Sequence, residues 1–202
     1  MHKKIAILGS GRGTNFQAIA EAVKSGRLPV DICLVISDRE DAFILKRAEN
    51  FGIKGLFIDP KKFPSRGEFD KELGKNLLKE KIELVVLAGF MRIISSDLVR
   101  EYKGRMINIH PALLPSFKGA HGIKEALDYG VKVTGVTVHF VDEGVDTGPI
   151  ILQEAVKIEE GDTEDSITSR IHAVEHRLYP EAIRLFGENK LEIKGRKVIV
   201  KK

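Results

Sequence analysis

Short apolar runs alternate with longer amphipathic stretches along the whole chain. Residues 5–8 (Ile-Ala-Ile-Leu) precede a segment with helical spacing from about Thr14, and residues 32–36 precede another from about Ala42. Such runs have the length of a buried strand, and the segments between them have the length of a crossover helix. The alternation predicts βαβ units and a parallel sheet. It continues with a strand at 56–58, a helix within 68–81, a strand at 84–88, a short helix near 96–102 and a strand at 106–109. A helix near 123–129 leads to a longer strand at 133–141, where Thr134, Val136, Val138 and Phe140 alternate with other residues, and then to a strand at 150–156. Asp162 or Thr163 caps a last long helix, whose first turn carries Glu164 and Asp165, acidic groups suited to a helix N-terminus. Pro180 is expected to kink or restart that helix. The pattern predicts an α/β fold with an open, mostly parallel sheet flanked by helices. No repeat, low-complexity tract or linker interrupts it, so residues 1–202 are expected to form one domain.

Composition narrows the class. With 43% hydrophobic and 31% charged residues, the chain falls among soluble globular proteins and away from disordered or fibrous ones. The net charge is only +4, and the basic residues are scattered except for Lys194, Arg196, Lys197, Lys201 and Lys202. That tail reads as a solvated strand pair rather than a nucleic-acid arm. The single cysteine, Cys33, lies in an apolar run and is expected in the core of a protein kept in a reducing compartment. The first apolar run is too short for a signal sequence and no run reaches membrane-spanning length, so the expected location is the cytoplasm, with no membrane partner.

Gly9, Gly11 and Gly13 follow the first strand, and Thr14 with Gln17 has the pattern of a capping box opening the next helix. Free N–H groups and the helix dipole at such a loop favour an anion, a phosphate monoester above all. A dinucleotide fingerprint would need glycine where Thr14 stands and an acid at a strand end about 20 residues on, where residues 26–30 supply none. A purely structural turn remains an alternative at this point.

The segment Met106-Ile107-Asn108-Ile109-His110-Pro111 places Asn108 and His110 two residues apart at a strand end, so both side chains leave one face. The carboxyl ends of parallel strands are where open α/β sheets keep their sites, and an amide beside an imidazole suits a developing oxyanion. The polar loop 142–149 between two strands can return the carboxylate of Asp146 to His110. Spacing alone is equally compatible with turns at Asn108 and Asp146 and a satisfied buried histidine.

Three strings carry a resemblance: Asn108-Ile-His110-Pro111-Ala-Leu113-Leu114-Pro115, the loop from Asp142 to Pro149, and Leu87-Ala-Gly-Phe-Met-Arg-Ile93. Together they resemble the formyltransferase family that uses 10-formyltetrahydrofolate, along nearly the whole chain. The resemblance implies a Rossmann-like formyltransferase fold. It also implies transfer of the formyl group from 10-formyltetrahydrofolate, as co-substrate, to the amine of glycinamide ribonucleotide in purine synthesis, without a metal. It makes Asn108, His110 and Asp146 the catalytic trio. Gly11, Arg12, Gly13, Thr14 and Asn15 would hold the acceptor phosphate, and Glu175 would contact the ribonucleotide. Met91, Arg92, Ile93 and Ile94, with Val141, Asp142, Glu143 and Val145, would line the pterin cleft, and Arg66 would meet the glutamate tail. His121 matches a histidine near the active site. A protonated His110, favoured by Asp146, would stabilise the oxyanion with Asn108. A monomer or homodimer is expected.

Two other readings use the same residues. His172-Ala-Val-Glu175-His176 matches the inverted zinc-protease pattern, but only 26 residues follow it to supply a third ligand. Formyltetrahydrofolate hydrolysis or methionyl-tRNA formylation would keep the trio, but these are expected to bring a further domain that 202 residues do not accommodate.

Overall fold

The computed structural model describes residues 2–201, so Lys202 of the basic tail lies outside it. The first half of the chain forms β1 (Lys3–Leu8), α1 (Thr14–Lys24), β2 (Val30–Ser37), α2 (Phe43–Asn50), β3 (Gly55–Phe57), α3 (Arg66–Lys79) and β4 (Leu84–Leu87). Then come α4 (Ser96–Glu101), β5 (Met106–His110), α5 (Gly122–Tyr129), β6 (Val133–Phe140) and β7 (Ile150–Lys157). The chain closes with α6 (Glu164–Gly187) and the hairpin β8 (Leu191–Lys194) and β9 (Lys197–Val200).

All strands join one sheet in the order β3-β2-β1-β4-β5-β6-β7-β9-β8. The strands β1 to β5 run parallel, β6 is antiparallel to β5, and β7 is antiparallel to β6. The chain builds outward from β1 to β3, then returns to place β4 and β5 on the other side of β1. That reversal opens a crevice between the loops after β1 and β4. Successive residues of β1 serve opposite faces. Ile5 and Ile7 pack with Phe16 and Ile19 of α1, Ile44 of α2 and Ile171 of α6, while Ala6 and Leu8 pack with Phe69 and Leu73 of α3 and Leu98 of α4. A sheet covered on both faces needs strands apolar throughout, which is what the short runs in the sequence encode.

Four local expectations are corrected. Gly13, not Thr14, is the N-cap of α1; it takes φ 69°, and no side chain caps the helix. A side-chain cap needs an extended N-cap residue, and the left-handed turn at Gly13 precludes it. The helix α6 does not restart at Pro180 but continues through it to Gly187. A proline inside a helix costs about 3 kcal/mol, but Tyr179, Ala182 and Ile183 around it are fully buried, and burial of each large side chain returns roughly 1.5–3 kcal/mol. Cys33 is half-buried, because β2 is fully covered only from Leu34 onward, and burial raises its thiol pKa. The strand expected at 133–141 ends at Phe140.

The expected cap of α6 is Thr163, in a reciprocal capping box with Ser166. The tail forms the expected strand pair and joins the sheet where Lys197 of β9 pairs with Ile150 of β7. Among the described residues, no helix is long and apolar enough to cross a membrane.

Candidate active site

The loops after β1 and β4 are tied to each other across the crevice. Ser10 N–H donates to Gly89 O at 3.0 Å, and Met91 N–H donates to the Ser10 hydroxyl at 2.9 Å. At Gly13 an added Cβ would lie 2.7 Å from the Ile44 side chain, so the left-handed turn and the close approach both require glycine. Behind the loop, Ile44 N–H donates to Gly11 O at 3.1 Å and Arg47 Nε donates to Arg12 O at 2.8 Å. Among the described residues, the N–H groups of Gly11, Arg12, Gly13, Thr14 and Asn15 have no protein acceptor. With the α1 dipole behind them they form an anion-binding face.

One side of this face leads to α6. Asn15 Nδ2 donates to Glu175 Oε2 at 3.0 Å, and the Asn15 amide oxygen is buried without a partner. Burial pushes the Glu175 carboxyl up to about 7, against the opposing pull of the Asn15 amide. One turn further, the buried Tyr179 hydroxyl donates to Leu87 O at 2.7 Å, at the end of β4, and approaches Ile107 O of β5 at 3.2 Å. Glu175 therefore lies between the anion loop and the strand that carries Asn108 and His110.

On β5 the two-residue spacing puts Asn108 and His110 on one face, as expected. The antiparallel register pairs Asn108 with His139 of β6. Asp146 arrives from the loop 141–149, which doubles back tightly: at Gly148 a Cβ would lie 1.7 Å from Phe140 O, and Thr147 Oγ1 donates to Asp142 Oδ1 at 2.6 Å. Asp146 takes φ 50°, a left-handed conformation that aspartate tolerates better than most residues. Its Oδ2 accepts from Gly119 N–H at 2.8 Å and lies 3.4 Å from His110 Nδ1. Its Oδ1 lies 3.4 Å from Asn108 Nδ2 and 3.5 Å from His139 Nε2. The structure thus brings the trio together and adds His139, which sequence reasoning missed. Its only signal was a histidine in an apolar strand next to the Asp146 loop.

The hydrogen-bond network sets the roles of these groups. His139 Nδ1 donates to Phe140 O at 2.8 Å, and its Nε2 lies 3.3 Å from Asn108 Nδ2 and 3.5 Å from Asp146 Oδ1. Burial alone would raise the Asp146 pKa, but hydrogen bonding to His139 and Gly119 and the charges of His110 and His139 bring it down to about 2. His110 donates through Nε2 to Phe117 O at 2.7 Å. Burial lowers its pKa more than Asp146 and the Phe117 carbonyl raise it. His110 thus feels burial acting against the expected imidazolium and Asp146, 3.4 Å from its Nδ1, acting in favour of it. Its Nε2 is engaged by Phe117, so no oxyanion contact from this ring is preformed.

The residues expected around the folate lie on the rim. Met91 and Ile93 are 70% and 60% exposed, an apolar pair open to solvent, while Ile94 is buried. The Arg92 guanidinium lies 4.8 Å above the Phe69 ring of α3, and Ser95 N–H donates to Asp70 Oδ2 of the same helix. These contacts hold the loop after β4 against the start of α3, where Arg66 is exposed. Across the cleft, Val141 and Asp142 are half-buried, Val145 is 48% exposed, and Glu143 reaches Arg100 of α4 at 4.0 Å. His121 is exposed at the N-cap of α5 and, among the described residues, makes no hydrogen bond to the trio. The rings of His172 and His176 lie 6.0 Å apart, and Glu175 between them in sequence turns to Asn15.

Comparison with known proteins agrees with this geometry. A family model described as formyl transferase matches residues 3–183. The phosphoribosylglycinamide formyltransferase of Bacillus subtilis is 43% identical over 93% of this chain and 96% of its own length. The trifunctional purine biosynthetic protein adenosine-3 of Drosophila melanogaster is 48% identical over 91% of this chain, which spans only 14% of that protein. The crystal structure of glycinamide ribonucleotide transformylase 1 from Symbiobacterium toebii superimposes with a TM-score of 0.97 at 49% identity, covering 99% of this chain and 94% of that one. The crevice, the converging trio and these likenesses along nearly the full length place the chain in the formyl transferase family.

Proposed function

We propose that this chain transfers the formyl group of 10-formyltetrahydrofolate to the amine of N1-(5-phosphoribosyl)glycinamide, giving formylglycinamide ribonucleotide and tetrahydrofolate in purine synthesis. The observation that carries the reading is the Ser10 tie between the anion loop and the loop of Met91 and Ile93. It holds the anion loop and an apolar rim together beyond the end of β4, where Leu87 pairs in register with Asn108, and this supports a phosphate site and a pterin site beside that residue. The names of relatives 43–49% identical over nearly the whole chain support the same acceptor and the same transferred group.

In this reading the acceptor phosphate sits on Gly11 to Asn15, Glu175 contacts the ribonucleotide, and the pterin lies between Met91–Ile94 and the loop of Val141, Asp142, Glu143 and Val145. Arg66 meets the glutamate tail and His121 borders the acceptor. The amine attacks the formyl carbon, a C–N bond forms, and the carbonyl electron pair moves to oxygen. Asn108 Nδ2 sits in two long contacts, 3.3 and 3.4 Å, which it can exchange for a shorter, charge-assisted bond to that oxyanion. The attacking nitrogen must lose a proton, and His110 Nδ1, 3.4 Å from Asp146 Oδ2, is the group that takes it. A proton entering there makes an imidazolium paired with a carboxylate, and its return to the departing folate nitrogen completes the breakage of the old C–N bond.

The test combines the protein with both substrates and follows tetrahydrofolate and formylglycinamide ribonucleotide separately. Equal amounts of the two are expected. Tetrahydrofolate with free formate would instead mean hydrolysis, and no turnover of the ribonucleotide would remove this acceptor.

A further inference from the structure

We propose that Arg47, 35 residues beyond Arg12, is a positioning residue that sets the anion loop for a phosphorylated acceptor. The inference rests on the reading of that loop as the acceptor phosphate site. The peptide units between Gly11 and Gly13 are both gripped by their carbonyls from α2. Ile44 N–H holds Gly11 O at 3.1 Å, and Arg47 Nε holds Arg12 O at 2.8 Å. In a trans peptide the C=O and N–H point in opposite directions. Holding Gly11 O and Arg12 O toward α2 therefore aims the N–H groups of Arg12 and Gly13 away from it, to the anion side of the loop. The second arm of the guanidinium, Nη1, donates to Gln17 Oε1 at 2.9 Å, one turn into α1. Arg47 thus fixes the loop and the first turn of α1 to each other.

Ile44 supplies only a backbone N–H, which any residue at that position provides, whereas the Arg47 contacts depend on the side chain. A guanidinium is the group that can span both acceptors, since its planar fork presents several donors at fixed angles. A positive charge on the carbonyl side of the Arg12–Gly13 peptide also polarises its N–H toward an anion. The Phe43 ring, 5.0 Å from the Arg47 guanidinium carbon, covers another side of that group. A role confined to the surface of α2 would need none of the bonds to the loop.

The experiment compares wild type, Arg47→Ala and Arg47→Lys in steady-state turnover with glycinamide ribonucleotide and with the same riboside lacking its phosphate. Binding of ribose 5-phosphate is followed by calorimetry. For Arg47→Ala the KM for the ribonucleotide should rise about 10-fold or more, the scale of a lost charge-assisted hydrogen bond, with kcat within about twofold. Ribose 5-phosphate should weaken by a similar factor, while the KM for the phosphate-free riboside stays within about twofold. Arg47→Lys keeps the charge and one bond and should fall between the two proteins; if Arg47→Ala does not fold, this variant carries the same test. An unchanged KM for the ribonucleotide, or an equal rise for the phosphate-free riboside, would overturn the proposal. Ribose 5-phosphate binding does not depend on turnover. A wild-type protein that binds it, with the Arg47 effect present but without formyl transfer, would therefore remove the proposed activity and leave this role standing.

Discussion

Glu175 and Asp146 are both largely buried in one crevice, yet the first is pushed up to about 7 and the second down to about 2. Beside the glycine loop, Glu175 receives a single hydrogen bond, from Asn15. At the proposed catalytic centre, Asp146 receives the Gly119 N–H and faces Asn108, His110 and His139. Burial costs both carboxylates, and the number of converging donors decides which one stays charged. The difference is also one of materials. The proposed acceptor loop presents backbone, held by bonds of 2.8–3.1 Å, whereas the side chains of the proposed catalytic trio meet at 3.3–3.5 Å, loose enough to reorganise around a reacting group.

The strongest way to break this comparison is to remove the charge that the donors maintain. Asp146→Asn keeps the shape, so turnover should fall by about 100-fold or more while both substrate affinities change little. Because Asp146 and His110 share one proton site, adding His110→Ala should cost much less than the product of the single effects. Near-normal turnover in Asp146→Asn would reduce the loop to a structural turn, provided circular dichroism shows both variants folded.

The two carboxylates should also oppose each other in stability. Glu175 binds its proton more tightly in the folded state, so its contribution is full below its ordinary value of 4.5 and is lost as pH rises through about 7. For Asp146 the sign reverses: its contribution is present above 3.8 and is lost as pH falls toward about 2. Glu175→Gln should therefore remove a decline on the order of 2 kcal/mol between pH 4.5 and 7, measured by denaturant unfolding. A decline of the same size in the variant would place it elsewhere.

Taking away one donor at a time sharpens the comparison. His139→Phe frees Asn108 from one contact and leaves Asp146 with fewer partners. Turnover should drop by roughly 10-fold, and the acid limb of the pH–rate profile should move upward with the Asp146 pKa. An unmoved acid limb would show that His139 does not hold that charge.

The smallest effect belongs to an exposed charge, which solvent screens. Arg66→Ala should weaken folate binding by a few-fold at most and more at low salt, with kcat intact. If the variant also binds a folate without its glutamate tail less tightly than wild type does, the arginine meets another part of the donor.

Much of the fold was legible because its rules are local. Strands buried on both faces must be apolar throughout, so residues 5–8, 32–36 and 84–88 announced themselves, and the Asn108-His110 spacing told which face they share. The Thr14 cap failed and α6 did not restart at Pro180 because local preference yielded to packing: Ile44 pressed against Gly13 leaves the turn no side chain to cap with, and buried Tyr179, Ala182 and Ile183 carry α6 through its proline. His139, Arg47 and the Phe117 carbonyl lie 31, 35 and seven residues from the groups they serve. Pattern along the chain could determine the elements, the glycine loop and the chemical types at the site. Strand register and helix packing alone decided which of those groups meet, and how deeply they are buried. Those two quantities set the charge on Glu175, His110 and Asp146, because desolvation and hydrogen bonding act through distance in space and not along the sequence.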